Sequence, residues 1–198
     1  MKRQTCCFTG HRKIPLNQLE QLTQRLKDAV IACIQEGYLY FGAGGALGFD
    51  TLAAQTVLNL KQQYPDIKLI LVLPCKDQAD RWNSQDIKEY ERIKACADKI
   101  VYTADRYYNG CMRKRNRHLV DCSSLCICYL TEQTGGTKYT VDYAIKSGCV
   151  IENLAQKNSR KNGCYTGFFR RVFPLTNKAN ARFIIYNCTE CCRICQVV

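Results

Sequence analysis

The chain has 198 residues, 46% of them apolar, and a formal net charge of +12, an ordinary composition for one soluble domain with an appendage. No run approaches the roughly 18 uninterrupted apolar residues of a membrane span. The apolar stretch after Met1-Lys2-Arg3 stops at Gly10-His11-Arg12, too early for a signal peptide, so a cytoplasmic protein with no membrane partner is expected.

In chain order, Thr5–Thr9 reads as a short buried strand, followed by a loop at Gly10–Pro15. Leu19, Leu22, Leu26, Ala29, Val30, Cys33 and Ile34 recur at helical spacing, which predicts an amphipathic helix over Leu16–Glu36. Gly37 stops it, and Tyr38–Phe41 is the second strand. Asp50–Gln63 reads as a helix, Lys68–Leu73 as a strand closed by Pro74, Asp86–Ala97 as a helix and Lys99–Tyr102 as a strand. A strongly basic helix at Gly110–Asp121 leads into strand Ser124–Leu130, helix Thr137–Lys146 and a last strand, Cys149–Ile151. Strand and helix alternate throughout. That pattern predicts an α/β fold: a Rossmann-like open, mainly parallel sheet with helices on both faces and right-handed crossovers. The alternation stops after Asn153, so residues 1–154 are expected to form the domain and 155–198 a basic, Cys-rich C-terminal extension.

Two glycine turns stand directly after strand-like runs. Gly42-Ala43-Gly44-Gly45-Ala46-Leu47-Gly48-Phe49-Asp50 follows the second strand, and Thr134-Gly135-Gly136-Thr137 follows the fifth. Such a turn leaves backbone N–H groups unobstructed at the positive end of a helix, which suits a phosphate or another anion. In an open parallel sheet, ligands bind beyond the carboxyl ends of the strands, where both turns fall. The reading is one shared crevice for a nucleotide-like small molecule.

The loop after the first strand, Thr9-Gly10-His11-Arg12, faces the same edge. Arg12 would hold a phosphate or carboxylate there, and His11 would act as an acid/base group or as a donor to the ligand; a plain solvated turn is the alternative. Asp50 reads either as a helix N-cap or as a carboxylate that faces ribose hydroxyls or organises the site. Trp82, the only tryptophan, either stacks on a base or packs on the core. Arg113, Lys114, Arg115 and Arg117 crowd one helix; residues 113 and 117 share a face and 115 points elsewhere. That run is a solvated face, a source of one ligand-directed arginine, or a polyanion surface.

Many of the 15 cysteines, as Cys6, Cys7, Cys33, Cys126, Cys128 and Cys149, sit inside apolar runs, which predicts free, mostly buried thiols over the first 154 residues of a cytosolic protein. The positive charge sits mostly in the extension, where 155–198 carry eight Lys and Arg against one acid, Glu190. Its two abutting pairs, Cys188/Cys191 and Cys192/Cys195, leave a single four-cysteine zinc site cramped. No metal and no cofactor is expected.

Taken together, Thr9-Gly10-His11-Arg12, Gly44–Asp50, Arg115-Asn116 and Gly135-Gly136-Thr137-Lys138-Tyr139-Thr140-Val141-Asp142-Tyr143-Ala144 resemble the SLOG superfamily. This Rossmann-like group includes the DNA-processing protein DprA and the LOG phosphoribohydrolases, and within it the likeness is to the YpsA-like family, over about Thr5 to Leu154. The resemblance implies binding of a nucleotide or nucleotide-derived molecule at the glycine loops. Ligand contact is then expected from Thr9, Gly10, His11, Arg12, Gly44, Gly45, Gly48, Asp50, Trp82, Arg115, Gly135, Gly136 and Thr137. The LOG motifs would place a catalytic arginine at Arg115 and the catalytic glutamate at Asp142. This chain has Thr134 and Lys138 where those enzymes carry a proline and a third glycine. The shortened carboxylate and the added lysine weigh towards a binding protein, in a sensing role, over a nucleoside 5′-monophosphate phosphoribohydrolase. DprA-like nucleic-acid binding is the third reading. Self-association into a homo-oligomer is left open.

Overall fold

A computed structural model describes residues 1–155. After a single 3-10 turn at Lys2–Gln4, the elements are β1 (Thr5–Gly10), α1 (Leu16–Gln35), β2 (Tyr40–Ala43), α2 (Phe49–Leu60) and β3 (Lys68–Leu73). They continue with α3 (Ser84–Cys96), β4 (Lys99–Tyr102), α4 (Cys111–Asp121), β5 (Leu125–Tyr129), α5 (Gly135–Lys146) and β6 (Val150–Asn153). The strands form one six-stranded sheet in the order β4-β3-β2-β1-β5-β6, with every pairing parallel. Each strand and each helix expected up to residue 154 is present; the possible strands at 168–173 and 182–186 lie outside the described residues.

A parallel sheet covered on both faces needs apolar residues pointing both ways, and alternation along β1 and β5 supplies them. Cys6, Phe8, Leu125, Ile127 and Tyr129 face α1, α2 and α3, meeting Leu22, Leu26, Val30, Phe49, Ala53 and Val57. Their neighbours Cys7, Cys126 and Cys128 face α4 and α5, meeting Leu119, Val120, Val141 and Ala144. Phe8, Phe41, Leu26 and Ile127 are fully buried, each side chain contributing on the order of 1.5–3 kcal/mol.

Four of the nine buried residues of the second core are cysteines: Cys7, Cys126, Cys128 and Cys149. Of the cysteines among the described residues all are unpaired, and only Cys96 and Cys122 are exposed. Burial pushes the Cys128 thiol up to about 12 and Cys149 to about 11, so both stay neutral and pack as small hydrophobes. The cysteine pairs of the extension lie outside the described residues.

β1 is the hinge of the topology: the chain builds outward through β2, β3 and β4, then returns to add β5 on β1's other side. The loops after β1 and β5 therefore diverge at their carboxyl ends, opening the crevice where such sheets hold ligands.

Candidate ligand-binding site at the sheet switch point

His11 ties the loops together. Its carbonyl accepts from the Phe49 N–H at 3.1 Å, at the start of α2. Its ring Nε2 accepts from the Thr131 N–H at 3.0 Å, in the loop after β5. An accepting Nε2 places the proton of the neutral ring on Nδ1. The imidazole also sits edge-on to Tyr129, 5.9 Å between centroids. His11 thus holds both glycine turns to the end of β1. Thr9 is buried, and the Arg12 side chain is exposed.

The first turn wraps a buried ion pair. Arg115 on α4 reaches under Gly44 and places Nη1 3.5 Å from Asp50 Oδ2, both side chains less than a tenth exposed. A Cβ on Gly44 would overlap the guanidinium, so the backbone approaches that closely only because residue 44 has no side chain. Gly48, at φ +79°, is the N-cap of α2, and a Cβ there would strike the Arg12 backbone. Asp50 is therefore not the cap. It lies inside the first turn, accepts from the Ala46 N–H at 3.4 Å and organises the loop around Arg115. Burial pushes the Asp50 carboxyl up, opposed by Arg115 and by the Ala46 and Gly44 N–H groups; burial likewise pushes Arg115 down. The contact is long, and Arg115 Nε has no partner among the described residues.

The second turn differs. Thr134 caps α5 without a side-chain hydrogen bond, and the first turn of α5 has no acidic residue. Gly135 and Gly136 are exposed with open space where a side chain would project. The first N–H groups of a helix lack internal acceptors, so this end presents bare donors. Thr137 is buried. Behind it, Thr140 Oγ1 donates to the Gly136 carbonyl at 2.8 Å and accepts from Asn116 Nδ2 at 2.7 Å, fixing α5 to α4. Asp142 is held by Lys138 Nζ at 2.5 and 2.6 Å, and no hydrogen bond or ion pair joins it to Arg115 among the described residues.

The basic helix divides as its spacing predicts. Arg115 points inward, while Arg113, Lys114 and Arg117 are exposed. Arg113 and Arg117 lie over the Tyr139 ring, 5.4 and 5.8 Å from its centroid. They also line an open depression of about 420 Å³ along α4, a surface feature rather than an enclosed pocket. Trp82 packs edge-on against Tyr90, 5.2 Å between centroids.

Two residues of the site carry no sequence signal of the kind that marks the glycine turns. Gln78, in the loop after β3, donates from Nε2 to the Gly45 carbonyl at 2.5 Å. Tyr90, on α3, stands 3.3 Å from where a Cβ of residue 45 would lie. Only the proximity of β2 and β3 in the sheet brings them to the turn.

An open all-parallel sheet with glycine turns at its switch point defines a Rossmann-like α/β domain. The sequence profile of the YspA SLOG family matches residues 6–150, and the chain belongs to that family. It is 30% identical over 129 residues to a UPF0398 protein of Bacillus pumilus, covering 64% of this chain and 69% of that one. It is 27% identical over 149 residues to UPF0398 protein YpsA of Bacillus subtilis, covering 70% of this chain and 83% of that one. In fold it is similar to DNA processing protein A of Streptococcus pneumoniae, with TM-score 0.56 at 17% identity over 76% of this chain and 50% of that one. The Helicobacter pylori protein of the same name, studied for its single-stranded DNA binding mode, gives TM-score 0.55 at 17% identity over 76% and 64%. The chain thus spans half to two thirds of those two structures, and the likeness is one of fold. No helix among the described residues is long and apolar enough to cross a membrane.

Proposed function

We propose that this protein binds a nucleotide or nucleotide-derived ligand across the two glycine turns, in a sensing rather than a hydrolytic role. The observation that carries the reading is the contrast between the turns. The start of α5 offers uncapped N–H groups, open space at Gly135 and Gly136 and no nearby acid in its first turn, which suits the phosphate. The Gly44–Asp50 turn already contains a carboxylate beside its cation, which repels a phosphate and suits a neutral, hydroxylated part of the ligand.

Two observations favour binding over hydrolysis. The Asp142 carboxylate is engaged by Lys138, and Arg115 is committed to Asp50. A phosphoribohydrolase would need Asp142 free beside the scissile bond. The rival nucleic-acid reading draws on exposed Arg113, Lys114 and Arg117, but Arg113 and Arg117 are already stacked on Tyr139.

The test is a mass-spectrometric inventory of small molecules retained by the purified full chain, joined to an assay of ribose-phosphate release from nucleoside monophosphates. Retained nucleotide without turnover is expected. Turnover by the wild type that disappears in Asp142→Asn would make the protein an enzyme instead.

A further inference from the structure

Three buried polar atoms have no hydrogen-bond partner among the described residues: Gln78 Oε1, Tyr90 OH and Arg115 Nε. They come from the loop after β3, from α3 and from α4, yet their side chains adjoin two consecutive residues of one turn. Arg115 lies against Gly44, while Gln78 Nε2 and Tyr90 Cε2 stand 3.6 and 3.3 Å from the Cβ position of residue 45. Orphaned buried polar atoms are rare and costly. Three around one turn call for a common explanation.

Each is held in place by its other end. Gln78 Nε2 faces the Gly45 carbonyl, which fixes the amide orientation and leaves Oε1 as an acceptor. Arg115 Nη1 is drawn to Asp50, leaving Nε as a cationic donor. The Tyr90 ring is braced by Trp82, and burial pushes its hydroxyl up, keeping it protonated to donate or accept. One fixed acceptor, one fixed donor and one hydroxyl do not match a phosphate, which brings acceptors only and would meet both Gln78 Oε1 and Asp50. A hydroxyl can both accept, as Arg115 Nε requires, and donate, as Gln78 Oε1 requires, and a second hydroxyl can do either with Tyr90.

We propose that Gln78, Tyr90 and Arg115 form a polar subsite behind the Gly44–Gly45 turn that selects a vicinal diol, the ribose-type end of the ligand, with Gln78 and Tyr90 as its specificity-determining residues. This rests on the nucleotide reading above, and it assigns the two turns different halves of one molecule. Gln78, hydrogen-bonded to the turn itself, couples occupancy of the subsite to the position of the glycine loop.

The experiment is titration calorimetry on the full chain with ribonucleoside 5′-monophosphates and their 2′-deoxy counterparts, for wild type, Tyr90→Phe and Gln78→Ala. Sites built to hydrogen-bond a hydroxyl discriminate strongly against its loss, so the wild type should prefer the ribonucleotides by about tenfold or more. The 2′-hydroxyl meets either Gln78 or Tyr90, so one of the two variants should reduce that ratio about fivefold or more, while the other, which serves the 3′-hydroxyl, should weaken ribo- and deoxynucleotides alike. Tyr90→Phe keeps the ring on Trp82 and removes an unpartnered hydroxyl, so its ligand-free thermal midpoint should not fall. A wild type without ribo preference, or a ratio unchanged in both variants, overturns the subsite while leaving nucleotide binding intact. A wild type that binds none of these nucleotides overturns both.

Discussion

Gly44, Asp50 and Arg115 form the most constrained unit of the site, and each tests a different part of it. Gly44→Ala drives a methyl into the Arg115 guanidinium and should cost about 2 kcal/mol or more, as overpacking does. Gly136→Ala, in open space, should be neutral or stabilise by up to about 1 kcal/mol. Chemical denaturation of the pair of variants checks the contrast. Asp50→Ala leaves Arg115 buried without a counter-charge and should cost about 3 kcal/mol, much of which Asp50→Ala/Arg115→Met should recover. Helical spacing alone separated Arg115 from Arg113 and Arg117, because a turn of 3.6 residues sends only one of them inward. It did not reveal Asp50 as its partner, since Asp50 is distant in sequence and its place in a first turn reads equally as a cap. Gln78 and Tyr90 were illegible for a plainer reason: their roles arise from sheet neighbours, and neither stands in a glycine turn or a charge run.

Among the elements, β3 and β4 fall where hydrophobic patterning placed them, because an apolar run bounded by Pro74 or by polar residues has little freedom at its ends. Helix starts were less legible. α5 begins at Gly135, two residues before the pattern predicted, since first-turn N–H groups need no internal acceptor and tolerate glycine. β2 begins at Tyr40 because the Tyr38 N–H turns back to the Cys33 carbonyl at 3.0 Å. Between helices, Glu89 joins α3 to α2: it accepts from Arg92 of its own helix and from Gln55 of α2 at 2.8 Å. Arg92, together with Gln55, holds the Glu89 carboxyl down at about 2, against an ordinary 4.5. A depressed acid stabilises the fold above its unfolded pKa and loses that contribution as pH falls from about 4.5 through 2. Glu89→Gln should therefore flatten the stability–pH curve in that window. Its cost at neutral pH should be no more than about 1 kcal/mol, since the pair is partly solvated. Denaturation midpoints between pH 2 and 7 measure it.

At the scale of the molecule, the two packed cores on either side of the sheet are closed by residues up to Leu154, whose carbonyl accepts from Arg25 Nη1 at 3.0 Å. Truncation after Ala155 should leave a cooperative thermal transition with a similar midpoint. A large loss of structure would show that the basic extension completes the domain. In the proposed function one ligand spans both glycine turns, with its phosphate on the start of α5. The deciding measurement is titration of nucleoside monophosphates into wild type and Gly136→Asp. An aspartate there fits open space and favours the helix N-terminus by about 0.3–1 kcal/mol, so the variant should be at least as stable as the wild type. It should nevertheless lose nucleotide binding, because its charge occupies the phosphate position. Binding that survives unchanged in a folded Gly136→Asp protein would contradict the claim.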